Sequence, residues 1–572
     1  MKYRSLALLA LAGAALPGME HRGAAQFTAA AEVKPIIADL IVEDAKIYTP
    51  QGWASAMAIA KGTIVAIGDA ASLSKHRGPS TQAIDLDGKL IIPGLHDMHV
   101  HPSGGGMAQF RCMIPQGANA KASLAVIAQC VAKAKPGEWI DGGGYQNDSF
   151  GKTPPTMKLL DSVSPDNPVL LRDISGHSAW GNSLAFKAAG IVDKTPDPEG
   201  GIIERDHAGK ATGILRESAA NLVSRNIPGP SPERSVEALG WALNNMLEFG
   251  ITAFDDAGVA RGTAEAYASL ADSGKLKQRV RACLWGQDAT LITDRMFYAR
   301  DRFSPSCVKL VLDGVPTDGH TAAMLDAYEP HHAAAASETD REKGLLLIPQ
   351  DELNKRVTQL DRAGLTVKFH AAGDAAVRAG LDAIEAARKS NGASGAMHNV
   401  GHNSFVNLSD IQRGVRIGAA FEFSPYIWYN SPIIADIRKA VGEERMKRWI
   451  PIKDALDAGA MVVPGSDWNV VPSVNPFIAI ETLVTRQVPG GGGEALGEAE
   501  RITLPQAIDI FTRQSARQMN FDHATGTLEQ GKLADFIVLD RDIFTVPITD
   551  VHNTKVLMTF INGEKVYQAA QR

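Results

Sequence analysis

Between residues 95 and 467 the chain repeats one pattern: a short apolar, strand-like run followed by an amphipathic helical stretch. The runs are 95–101, 139–144, 169–174, 252–256, 280–285, 308–313, 366–370, 399–402, 417–423 and 462–467. Such alternation is what parallel α/β structure requires, because each parallel strand needs a crossover, usually a helix, before the next. Several runs end in a histidine or an aspartate. In a (β/α)8 barrel, polar residues at strand C-termini face the catalytic mouth, so the pattern predicts a TIM-like α/β barrel with inserted elements rather than an open sheet. The Pro- and Gly-rich stretches 193–201 and 489–493 read as surface loops, and no solenoid-type repeat interrupts the alternation.

The two ends have a different texture. Segments 38–48, 56–67 and 82–92 read as strands, with turn residues Pro50-Gln51-Gly52, Lys61-Gly62 and Asp87-Gly88 between or within them. Segments 534–540, 556–560 and 565–567 look alike, the last following an Asn562-Gly563 turn. Neither end has enough strands for a sheet with a covered face. Together they are expected to build one small β-sandwich, 36–92 with 523–572, beside a barrel spanning 93–522. Ahead of them, Lys2 and Arg4 precede a short apolar run, 5–15, broken by Pro17. This reads as an export signal over 1–25, too short for a membrane span, and predicts a periplasmic or secreted protein. Cys112, Cys130, Cys283 and Cys307 show no C-x-x-C spacing and are expected to be mostly buried free thiols, with one or two disulfides open to an exported chain.

The chemistry begins with His99 and His101. Residues two apart on a strand project to the same side, so both can offer imidazole nitrogens to one metal ion at the strand's end. Four further positions can complete that pair. His370 and His402 each end a strand, and Asp467 follows an apolar run and a Gly-Ser bend. Lys309 sits inside an otherwise apolar strand. A buried ammonium tends to lose its proton. Neutral lysine reacts with carbon dioxide to form a carbamate, an anionic oxygen ligand able to bridge two divalent metals. His96, Asp97, Asp173, Asp255, Asp256, Asp313 and Asp374 read as groups that orient ligands or fix loops. His331 and His332 read as exposed loop residues. The aromatic cluster Phe421, Phe423, Tyr426, Trp428 and Tyr429 fits either an apolar substrate pocket or simple packing.

Taken together, the motifs 93–101, 173–183, 308–310, 370–374 and 465–467 resemble the metal-dependent amidohydrolase superfamily, in particular the YtcJ-like branch that includes N-substituted formamide deformylases. The resemblance covers essentially the whole chain after the leader. It implies a (β/α)8 barrel plus a β-sandwich from both termini, and a mono- or binuclear zinc-type site. Carried over residue by residue, His99, His101 and Asp467 hold the more buried metal, Lys309 is the carbamylated bridge, and His370 and His402 hold the second metal. His177 lies near the substrate and polarises its carbonyl, with Trp180 and His320 as further expected contacts, joined by Tyr426 and Trp428 where the aromatic cluster is read as a pocket. Two departures stand out: Asn-Val-Gly precedes His402 where the family more often has an acidic residue just before the histidine, and His320 stands where arginine is frequent.

A divalent metal lowers the pKa of bound water toward roughly 7 and polarises the scissile carbonyl. Asp467 would take the water's proton and pass it to the leaving amine. No protein nucleophile is then needed, in keeping with the absence of a Gly-x-Ser-x-Gly elbow. The expected activity is hydrolysis of a non-peptide C–N bond in an amide, N-acyl or N-formyl amine carrying an apolar or aromatic group. The same site could instead hydrolyse an ester or lactone. A binding relative without activity is disfavoured, since it should have lost ligands. A net charge of −6 argues against nucleic acid as a partner, and a homo-oligomer stays open.

Overall fold

The computed structural model describes residues 34–570 apart from 116, 147–149, 152–153, 174–177, 199–200, 317–319, 330–341, 425 and 427–431. The leader assigned to 1–25 lies outside the described residues. Eight parallel strands form the barrel: β6 (Leu95–Val100), then β13 (Ile251–Val259), β14 (Arg279–Trp285), β15 (Phe303–Val311), β16 (Thr366–Ala371), β17 (Asn399–His402), β18 (Ala420–Phe423) and β19 (Met461–Pro464), neighbours in that order. Strand alternation divides their side chains. Val308 and Leu310, Val367 and Phe369, Val400, Phe421 and Phe423, and Val462 all join one large apolar cluster with the surrounding helices. The intervening Lys309, Lys368 and Glu422 turn the other way, into the barrel. The helices complete that layer by one-sided patterning. In Pro232–Glu248, Ser231 caps the N-terminus by accepting from the Arg234 N–H, and Ala238, Leu239, Ala242, Leu243 and Met246 bury one face. Each fully buried leucine there contributes about 2 kcal/mol.

Between β6 and β13 a second sheet is inserted, in the order β11-β12-β10-β9-β8-β7. Its strands are β7 (Cys112–Met113), β8 (Ile140–Tyr145), β9 (Val169–Asp173), β10 (Ser178–Gly181), β11 (Gly201–Arg205) and β12 (Ala211–Glu217). This corrects the sequence reading, in which 139–144 and 169–174 counted as barrel strands. Apolar strand runs look the same whichever sheet they enter, and ten candidates for an eight-stranded barrel meant that two belonged elsewhere.

The chain ends do combine. β1 (Leu40–Thr49), β2 (Gly52–Ala54), β3 (Ala56–Ala60), β4 (Thr63–Gly68) and β5 (Gln82–Pro93) join β20 (Phe536–Leu539), β21 (Val556–Ile561) and β22 (Glu564–Gln568). Their hydrogen bonding makes one continuous eight-stranded sheet, because β5 pairs with β1 on one side and with β20 on the other, and one apolar cluster takes residues from β1, β3, β4, β5, β20 and β21. Lys61 (φ 50°) and Gly62 (φ 77°) form the β3–β4 turn. A Cβ on Gly62 would lie 2.7 Å from the Asn562 carbonyl oxygen, so the turn's left-handed backbone and its contact with the other chain end both call for glycine. Among the described residues no helix is long and apolar enough to cross a membrane.

The cysteines overturn the free-thiol expectation. Cys283 and Cys307 are register partners on β14 and β15 and form a disulfide, and Cys112 on β7 is bonded to Cys130 on the helix Ala120–Lys133. Sequence spacing conceals both pairs, since adjacency here comes from sheet register and from a crossover helix folding back.

Candidate metal centre

The barrel closes where its first and last strands meet, and that seam places the ligands. The Asp467 N–H donates to the His99 carbonyl (2.7 Å), and the His101 N–H donates to the Trp468 carbonyl (2.6 Å). Asp97 reinforces the seam by accepting from the Ser466 N–H at 3.0 Å. Asp467 itself takes a left-handed backbone (φ 59°), which an aspartate tolerates better than most residues. His101 Nε2 then lies 3.3 Å, and His99 Nε2 3.8 Å, from Asp467 Oδ1. The ligand atoms of these three residues all lie within 4.8 Å of one another.

Lys309 extends the group, its Nζ 3.2 Å from His99 Nε2. Burial, and then the charge of Lys368, pushes its ammonium down to about 7. His402 connects the remaining ligand candidates: its ring centroid is 4.6 Å from that of His99 and 4.3 Å from that of His370. His370 Nδ1 is held by Asp313 Oδ1 at 3.1 Å, and Asp313 also accepts the N–H groups of Ala323, Ala372 and Gly373. His402 Nδ1 pairs with Ser424 Oγ at 3.1 Å. With Nδ1 engaged in both rings, Nε2 is the atom left to bind a ligand. Burial, and then the nearby cations and imidazoles, holds His99 and His402 well below the usual histidine range, so both rings are neutral. Neutral imidazole is the form a metal needs.

Sequence reasoning missed Glu422. It is fully buried on β18, and its Oε2 lies 2.5 Å from His99 Nδ1. Burial raises its carboxyl pKa, opposed by Lys368 and Lys309. The signal was present: one carboxylate within Ala420-Phe421-Glu422-Phe423 breaks an apolar strand just as Lys309 does. The flanking phenylalanines were read with the aromatic cluster, as either pocket or packing, and the carboxylate between them went unread. Neither phenylalanine lines a pocket. Phe421 and Phe423 pack outward into the helix layer because Glu422 takes the inward face.

Other expected substrate contacts separate. Trp180 is fully buried in the inserted sheet against Tyr145 and Phe150, its indole N–H donating to the Thr156 carbonyl. It is core, not substrate surface, since an inward position on a sheet with a covered face leaves no room for a ligand. Tyr426 is buried after β18 and donates to the Val474 carbonyl. His320 lies after β15, stacked flat on Tyr328 at 4.1 Å. His177 and Trp428 lie outside the described residues.

Two imidazoles and a carboxylate converging at a barrel mouth match a three-ligand zinc set in chemistry and number. With the His99 Nδ1–H turned to Glu422, His99 Nε2 is an acceptor that lies 3.8 Å from Asp467 Oδ1 and 3.2 Å from Lys309 Nζ. A divalent cation fits that arrangement. The lysine beside it is compatible with a cation because burial drives it toward its neutral form.

The chain matches the amidohydrolase family over residues 82–567. It is 31% identical to Protein LONG AFTER FAR-RED 3 of Arabidopsis thaliana, covering 93% of this chain and 92% of that one. It is 28% identical to the putative amidohydrolase YtcJ of Bacillus subtilis (86% and 92% covered) and 27% identical to the N-substituted formamide deformylase of Arthrobacter pascens (93% and 98% covered). Among solved structures, an uncharacterized metal-dependent hydrolase from Pyrococcus furiosus superposes with a TM-score of 0.72 at 24% identity, covering 88% of this chain and 99% of that one, which shows a shared fold. With a family match that spans the barrel and half the strands of the flanking sheet, the chain belongs to the amidohydrolase family and is a hydrolase of carbon–nitrogen bonds.

Proposed function

We propose that this enzyme hydrolyses the C–N bond of small N-acyl or N-formyl amines at a one- or two-ion, zinc-type centre. The observation that carries the reading is the convergence of His99, His101 and Asp467 within 4.8 Å, with Lys309 Nζ 3.2 Å from His99 Nε2. His99, His101 and Asp467 would hold one ion; His370 and His402, with Lys309 as a carbamate, would hold a second. A bound divalent ion supplies Lewis acidity toward the scissile carbonyl and makes water a competent nucleophile near neutral pH. The protein does the rest. His99 and His101 fix Asp467 at the seam, where Asp467 Oδ2 accepts the proton of the attacking water and returns it to the leaving nitrogen. Asp313 and Ser424 hold the rings of His370 and His402 in one orientation. The similarity to a formamide deformylase supports the N-formyl class.

Export to an oxidising compartment is part of the same proposal. The basic and apolar leader supports it, as do the Cys112–Cys130 and Cys283–Cys307 disulfides, a pairing that reducing cytosol disfavours.

The test is a panel of N-formyl and N-acyl amines against matched esters and lactones, using zinc-reconstituted enzyme. The expected result is a kcat/KM for the amides at least about tenfold above that for the esters, which is about 1.4 kcal/mol of differential transition-state binding. Ester or lactone turnover with no amide turnover would overturn the substrate class.

A further inference from the structure

We infer that Glu422 is the residue that positions His99 for metal binding, by holding its Nδ1–H so that Nε2 alone is presented to the ion. The inference rests on the metal-centre reading above and deepens it.

The geometry is one-sided. Glu422 Oε2 sits 2.5 Å from His99 Nδ1, while Lys309, Asp467 and His101 gather on the Nε2 side. Glu422 therefore lies behind the imidazole and orients it. An ionised or neutral carboxyl buried this deeply needs partners. His99 provides one, and the Ser424 hydroxyl, which donates to Oε1 at 3.3 Å, provides another.

The surrounding backbone is shaped to admit this carboxylate. A Cβ at Gly401 would fall 2.6 Å from Glu422 Oε2, and one at Gly465 would fall 2.7 Å from Glu422 Oε1 and 2.3 Å from His99 Cβ. Both glycines have φ in regions open to other residues, so the space, not the backbone angle, explains them. Gly401 on β17 and Gly465 just past β19 thus flank the glutamate with no side chain of their own, in space shared with the Phe369 carbonyl and His99 Cβ. Lys368 secures the strand that carries His99, its Nζ donating to the Met98 carbonyl at 2.6 Å.

A carboxylate behind a ligating imidazole fixes its tautomer and raises its basicity, and removing such a partner typically weakens metal binding about 10–100-fold. The two effects separate by substitution. Glu422→Gln retains an acceptor of the same shape for the Nδ1–H but removes the charge, whereas Glu422→Leu removes both.

The experiment measures zinc affinity directly, by competition with a chromophoric chelator on metal-free full-length protein whose folding is checked by circular dichroism. Activity is not the readout. The expected order is wild type tightest, Glu422→Gln weaker by about tenfold, and Glu422→Leu weaker by about a hundredfold. Histidine-selective nitrogen NMR on the metal-free protein should show a downfield His99 Nδ1–H that is lost in Glu422→Leu and retained, shifted, in Glu422→Gln. If Glu422→Leu fails to fold, Glu422→Gln carries the test alone. Zinc affinity equal to wild type in folded Glu422→Gln and Glu422→Leu would overturn the inference while leaving the metal centre intact. Failure of the wild type to bind zinc would overturn both.

Discussion

Two buried polar clusters lie inside the same barrel, and they are built on opposite rules. In the lower one, every cationic group finds an acceptor. Arg281 donates from Nε to Asp255 Oδ1 (2.8 Å), pairs its Nη2 with Asp255 Oδ2 and the Gln518 side chain, and donates from Nη1 to the Gln518 carbonyl (2.9 Å). Lys368 adds its bond to Met98 and lies 3.4 Å from Asp255. At the mouth, by contrast, His99 Nε2, His101 Nε2 and Asp467 Oδ1 converge as three metal-ligand atoms, with Lys309 Nζ 3.2 Å from His99 Nε2. A saturated network stabilises the fold by itself, whereas a convergence of ligand atoms gains further stability from a cation among them. The lower cluster is structure, and the upper cluster is a site.

The largest effect that would sharpen this contrast concerns activity. Asp467→Asn should lower kcat by roughly 10²–10⁴ in steady-state assays while the metal-free protein melts close to wild type. A mild kcat loss would place the proton transfer elsewhere. The lower cluster should behave in reverse. Arg281→Met leaves Asp255 buried without its main partner, so urea unfolding should show a loss of about 3–5 kcal/mol, with zinc bound normally by the folded fraction. An unchanged midpoint would break the comparison. Metal linkage comes next: zinc at a hundred times its dissociation constant should stabilise the wild type by about 2.7 kcal/mol in denaturant titrations, and should do almost nothing for a His99→Ala, His101→Ala double variant.

The smallest effect is a pH dependence. Lys309, brought down to about 7, is an unreactive ammonium below that pH and a neutral amine above it. Between pH 6 and pH 8, at fixed dissolved carbon dioxide, the neutral fraction and the initial rate of carbamate formation should therefore rise by about tenfold. Intact mass measured without acid reads the adduct. A rate that falls with rising pH would remove Lys309 as the reacting amine.

The parts of this molecule legible in sequence are those governed by local periodicity. His99 and His101 two apart on a strand, and Asp467 after an apolar run, were candidates from local pattern alone, while what brings Asp467 to the pair is the seam between the first and last barrel strands. What stayed hidden depends on register and long-range packing. Cys283 meets Cys307 only because β14 and β15 pair in that register. The runs 139–144 and 169–174 are strands, but nothing local says that they leave the barrel for an inserted sheet. The run begun at 417 starts on the last residue of the helix Leu408–Ile417, and the left-handed Gly418 (φ 70°) that separates helix from strand was the available signal. Glu422 was missed because its neighbours are aromatic, although a lone carboxylate in a four-residue apolar strand carries the same information as Lys309 does in its own.

The most direct test of the account is metal content per chain. Full-length protein, purified without added metal and reconstituted with zinc, is freed of unbound ion and measured by mass spectrometry beside a His99→Ala, Asp467→Asn double variant shown to be folded. The account predicts one to two zinc ions per wild-type chain and a clear loss in the variant. A folded wild type that retains no zinc, or a variant that retains as much as wild type, would contradict it.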